Sequence, residues 1–119
     1  MKIGEAVGIV VVDLCWTGGL TDGRKIAAMS ETYHKPFAPH DCLGPGGFTV
    51  AVPMSFSRPN TLTQESARAF YSGWRQELVT GVPTNGDGFV QPMHGPGPVT
   101  EWLPAVYEIS DLILRRSEA

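Results

Sequence analysis

A chain of 119 residues holds one small domain with one core, and its balance of 42% hydrophobic and 18% charged residues is that of an ordinary soluble protein. Nine basic residues against twelve acidic give a net charge of −3 with no basic block, which argues against nucleic acid as a partner, and no apolar run approaches the roughly 18 residues of a membrane span. Two cysteines, Cys15 and Cys42, give no disulfide framework, and the glutamate and glycines of "MKIGEAVG" with Asp13 behind them are not what a secretory signal is expected to show, so a reducing cytoplasm is the expected compartment.

Residues 9–12 (IVVV) are β-branched throughout and bounded by glycine and a turn, which predicts a strand buried on both faces. Thr21 or Asp22 is expected to cap a helix reaching about His34, with Ile26, Met29 and Tyr33 as its apolar stripe and Lys35-Pro36 as its stop. Residues 36–40 (PFAPH) read as a second short strand, against the propensity of two prolines. A helix over residues 48–57 follows, kinked at Pro53, then a third strand over residues 60–65 (NTLTQE). Ala67, Phe70, Trp74 and Leu78 mark a further amphipathic helix. From Gly81 the chain is rich in loops, and residues 107–116 (YEISDLILRR) are expected to close it as a strand. Strand and helix alternate three times, which implies parallel strands joined by right-handed crossovers.

The turn after the first strand, "GGLTDGRK", invites comparison with a phosphate-binding loop. Gly18 and Gly23 have the right separation, but Arg24 stands where lysine belongs, Lys25 replaces the hydroxyl, and Asp22 puts a negative charge among the phosphate oxygens. A second reading starts from what ends each strand: Asp13, then His40, then Glu65, separated by 27 and 25 residues. That is close to one βα unit each, and in parallel α/β folds the carboxyl ends of strands share one mouth. An Asp–His pair on neighbouring strands makes a general base, the carboxylate fixing the imidazole tautomer. Glu65 would donate a hydrogen bond if burial keeps it protonated. Taken one at a time, the same residues also serve as a turn cap, a loop histidine and a helix first-turn acid.

Three stretches, "VVVDLCWTGGLTDGRKIAAMSETY", "FAPHDCLGP" and "PNTLTQE", closely resemble the C-terminal part of enolase-superfamily proteins. The likeness is to the mandelate racemase/muconate lactonizing enzyme family, and within it to sugar-acid dehydratases; "DGFVQPMHGPG" resembles that family's returning tail. The resemblance implies an α/β fold, a partial (β/α) TIM-type barrel of about three consecutive βα units plus an irregular C-terminal tail. Residues 1–80 would be barrel units and residues 81–119 a tail returning toward a capping domain absent from this chain. It further implies that His40 is the base, Asp13 its dyad partner and Glu65 the group that hydrogen-bonds the substrate carboxylate, with His40 also against the substrate. The reaction implied is Mg²⁺-assisted removal of a proton α to the carboxylate of a small sugar acid, followed by loss of the β-hydroxyl. The family's acidic Mg²⁺ ligands lie on earlier strands, so none falls in this chain, which is expected to be inactive alone and to need the missing barrel half or self-association. Full-length relatives are expected to be homo-oligomers. A racemase or cycloisomerase of the same superfamily, or a non-catalytic interaction fragment, are the alternatives.

Overall fold

The computed structural model describes residues 3–116; the outermost residues of the expected 1–80 and 81–119 divisions lie outside them. A short helix, α1 (Ile3–Ala6), leads into β1 (Val10–Asp13), α2 (Gly19–Thr32), β2 (Phe37–His40) and α3 (Pro45–Phe56). β1 and β2 pair in parallel with Val10 opposite Phe37 and Asp13 opposite His40. Successive strand residues point to opposite faces. One face therefore carries Val12 and Leu14, which pack with Ala27 of α2, Phe37, and Ala51 and Met54 of α3 to form the core.

The other face is bare. Val11 is 59% exposed and Ile9 48%, against 7% for Val12, so β1 is covered on one side only and the expectation of burial on both is corrected. α2 and α3 lie on one face of this sheet, while the opposite face exposes Ile9 and Val11 beside a buried Ala38 (7% exposed).

α2 starts two residues before the expected Thr21, with Gly18 and Gly19 both in the left-handed region (φ 97° and 81°). A side chain at Gly18 would collide with the Asp22 carboxylate, which instead accepts from Lys25 Nζ at 3.0 Å. The helix also buries a different face from the one its apolar residues mark. Gly23, Ala27 and Ser30 are buried, while Met29 and Tyr33 are about half exposed. Small residues win here because α2 lies close on β1: a methyl group at Gly23 would meet Leu14 Cδ2.

α3 begins three residues before the expected start, with Pro45 in its first turn where a missing N–H costs nothing, and it runs through Pro53 on its exposed side. Residues 60–65 lie beside β2 as expected but form a single parallel bridge, Thr61 to Phe37, rather than a strand. Phe37 N donates to Asn60 O (2.9 Å) and Leu62 N to Phe37 O (2.8 Å), but the next bond is from Glu65 N to Pro39 O (3.1 Å). β2 has advanced two residues there and its neighbour three. Pro39 has no N–H to continue the ladder, so the pairing slips by one.

The helix expected through Ala67, Phe70, Trp74 and Leu78 is broken into two single turns, α4 (Arg68–Tyr71) and α5 (Arg75–Leu78), on either side of Gly73. Beyond it an unpredicted antiparallel hairpin, β3 (Thr84–Gly86) with β4 (Phe89–Gln91), turns on Asp87 and Gly88, both at positive φ. Asp-Gly is the pair such a turn favours, so that signal was in the sequence. No strand closes the chain over residues 107–116. Tyr107 and Glu108 belong instead to a 3₁₀ turn, Pro104–Glu108, and the residues after it are irregular. The tail is tied back by Thr80 N to Glu101 O (2.9 Å) and Leu103 N to Leu78 O (2.8 Å).

Candidate active site

The register of β1 on β2 sets Asp13 beside His40 at the carboxyl ends of two adjacent parallel strands, both on the bare face. The slipped pairing of residues 60–65 then delivers Glu65 to the same end. Its carboxylate Oε2 meets His40 Nδ1 directly. All three predicted residues are thus brought together, on an open face rather than in an enclosed pocket. Neither the 940 Å³ cleft between α3 and the hairpin nor the 620 Å³ cleft beside Pro53 is lined by any of them.

The pairing within the triad differs from the sequence expectation. The imidazole partner is Glu65, not Asp13. Asp13 Oδ1 accepts from the backbone N–H of Cys15 (2.7 Å), while Oδ2 is buried with no hydrogen-bond partner among the described residues. Residue spacing could not separate the two acids, because both end segments that flank β2. With Glu65 on Nδ1, the neutral imidazole carries its proton there and leaves the Nε2 lone pair as an acceptor facing Cys42. Cys42 Sγ lies 3.0 Å from Nε2, placed there because His40 and Cys42 are two residues apart on one extended segment.

The Glu65 hydrogen bond, with help from the charges of Glu65, Asp13 and Asp41, raises His40 above its ordinary value of 6.5, against a smaller opposing effect of burial. The folded value lies above the unfolded one. The pair therefore stabilises the fold below pH about 6.5, and that contribution is lost as pH rises through the raised value. Glu65→Gln is expected to bring the imidazole midpoint back down toward the ordinary histidine value, followed by the ring-proton NMR shift of His40 against pH. An unchanged midpoint would remove Glu65 as its partner.

Beneath His40, on the helix side of the sheet, lies a feature the sequence reading missed. Asp41 (3% exposed) is paired to Arg75 (0% exposed) through Oδ2 and Nη2 at 2.6 Å. Nη2 also donates to Leu43 O (2.8 Å), and the guanidinium stacks between Phe48 and Phe70 at 5.4 and 5.5 Å from the ring centres. Burial holds the Asp41 carboxyl above its usual range even with Arg75 pulling it down. The pair fixes the segment that carries His40 and Cys42 onto α3 and α5. Strand alternation could have found it: if His40 faces out, Asp41 must face the helices, where a charge demands a counter-ion.

Among the described residues, one cluster of three metal-capable side chains exists: Asp13, His40 and Cys42, with ligand atoms within 4.8 Å of one another. Nitrogen and sulfur donors do not suit Mg²⁺, which takes an octahedron of oxygens. This cluster does not fit that ion.

Two parallel strands with helices on one face, and an acid, an imidazole and a second acid gathered at one end, make an α/β segment consistent with part of a β/α barrel. The chain belongs to the enolase C-terminal domain-like family, whose model matches residues 4–105. It is 33% identical over 103 residues to the D-galactonate dehydratase of Cronobacter sakazakii, a match that spans 81% of this chain and 27% of that protein. Among solved structures, an Agrobacterium tumefaciens enolase of the mandelate racemase subgroup is 40% identical with a TM-score of 0.81, over 87% of this chain and 28% of that one. An enolase protein from Sargasso Sea environmental sequence is 36% identical with a TM-score of 0.86, over 97% and 30%. The chain spans about a quarter of the length of the curated relatives it matches.

Proposed function

We propose that this chain carries the acid–base half of a sugar-acid dehydratase site. His40 Nε2 takes the proton α to a carboxylate, and the same imidazolium returns it to the departing β-hydroxyl. Glu65, which is exposed rather than buried as the sequence reading required for a protonated donor, holds Nδ1–H and so fixes the tautomer and orientation of the ring. Asp13 adds negative charge that favours the imidazolium. The observation that supports this reading is the meeting of Glu65 and His40, with Asp13 beside them, at the ends of three consecutive parallel segments. Any divalent ion the family requires would be held by residues outside this chain. The bare face carrying Ile9 and Val11 is read as the surface that the rest of the barrel, or a second copy, covers. Unpaired Cys15 and Cys42 suit a reducing cytoplasm, and no described helix is long and apolar enough to cross a membrane.

The test is a chimera in which this chain replaces the matching segment of the Cronobacter dehydratase. The expected result is Mg²⁺-dependent loss of water from a sugar acid, with the isolated chain inactive. A chimera that folds and binds Mg²⁺ but only exchanges the α-proton with solvent would favour the racemase reading. One that binds sugar acids without either reaction would favour a non-catalytic fragment.

A further inference from the structure

We propose that Asp13, His40 and Cys42 form a binding site for a borderline-soft divalent cation, Zn²⁺ by preference. The three residues offer an oxygen, a nitrogen and a sulfur, a donor set that selects zinc over magnesium or calcium. Their ligand atoms lie within 4.8 Å of one another. Around a tetrahedral zinc, nitrogen and sulfur ligands stand about 3.6 Å apart, given Zn–N near 2.05 Å and Zn–S near 2.3 Å. The present Nε2 to Sγ separation of 3.0 Å needs only a small opening to admit the ion.

Two further observations point the same way. Asp13 Oδ2 is buried with no hydrogen-bond partner among the described residues while Oδ1 is engaged by Cys15 N–H, which makes Oδ2 the carboxylate oxygen available to an ion. His40 gives Nδ1–H to Glu65, the carboxylate–histidine arrangement that directs the opposite nitrogen toward a metal and raises its basicity. The fourth position faces the bare side of the sheet and would take water. On binding, the Cys42 S–H bond breaks, its proton leaves to solvent, and the sulfur lone pair forms the Zn–S bond; no electron is transferred. Zinc would occupy the same Nε2 lone pair that the proposed base uses, so metal and proton abstraction exclude each other. That last consequence rests on the proposed function. The site itself does not.

Cobalt titration of the 119-residue chain, reduced with a phosphine, tests the site without any activity assay. One equivalent of Co²⁺ is expected to give a thiolate-to-cobalt charge-transfer band and tetrahedral visible bands, lost on adding one equivalent of Zn²⁺ and unchanged by excess Mg²⁺. Cys42→Ser should abolish the charge-transfer band and Cys15→Ser should keep it. Glu65→Gln should weaken affinity about 10- to 100-fold through the outer contact, and Asp13→Asn at least as much. His40 and Cys42 are close in sequence and could hold metal in an unfolded chain, so Asp13→Asn is the decisive variant. Wild-type affinity in Asp13→Asn, a band that persists in urea, or no band at all would each overturn the proposal.

Discussion

Asp41→Leu should cost about 3–5 kcal/mol of folding stability, the loss expected when one member of a buried ion pair is removed. The measurement is the urea midpoint at neutral pH. The reason for so large a value is what stays behind. A guanidinium does not give up its proton in a protein, and Arg75, fully buried between Phe48 and Phe70, would retain only the Leu43 carbonyl. Arg75→Met should cost less, because the carboxyl left behind has an escape. Asp41 already sits above the usual carboxylate range and without Arg75 would go higher, so it can bind a proton instead of staying charged. A folded value above the unfolded one means that this variant is most stable in acid and loses stability as pH rises through the folded value. The gap between Arg75→Met and the parent should therefore close as pH falls. The double variant, Asp41→Leu with Arg75→Met, should recover most of the loss. Equal costs for the two single variants, or a gap that does not change with pH, would mean the pair is not the isolated buried couple drawn above.

The second large effect is on chemistry. In the chimera, His40→Asn should lower turnover by about 10²- to 10⁴-fold, the usual contribution of a positioned general base, while KM for the sugar acid changes little. Asparagine keeps the approximate shape and can still accept from a donor, but it cannot take a proton from carbon. In the parent chimera, turnover should rise with pH as the imidazole loses its proton, and the raised value of His40 places that rise above pH 6.5. Turnover in His40→Asn within a fewfold of the parent would remove His40 from the mechanism.

Much of this molecule was legible from local chemistry. Four β-branched residues between a glycine and a turn mark β1, whereas α2 and α3 start two to three residues earlier than expected, at Gly19 and Pro45. The three polar strand ends could be located by spacing because each βα unit consumes a similar length of chain. Other features needed three dimensions. The buried stripe of α2 is written in Gly23, Ala27 and Ser30, residues whose smallness matters only once β1 is known to lie close against them. The third strand fails because Pro39 of the neighbouring strand lacks a donor, a fact invisible within residues 60–65 themselves. Arg75 reads as the polar side of an amphipathic helix until Asp41 is seen beneath it. The choice between Asp13 and Glu65 as the imidazole's partner likewise depends on a one-residue slip in pairing.

The alternation along β1 has a further consequence. Val10, Val12 and Leu14 answer to α2 and α3, whereas Ile9, Val11 and Asp13 answer to whatever lies across the open side. Heritable change can therefore act on one set without taxing the other. Exchanging Ile9 or Val11 should leave the packing of α2 and α3 on the sheet as it is, because neither side chain takes part in it.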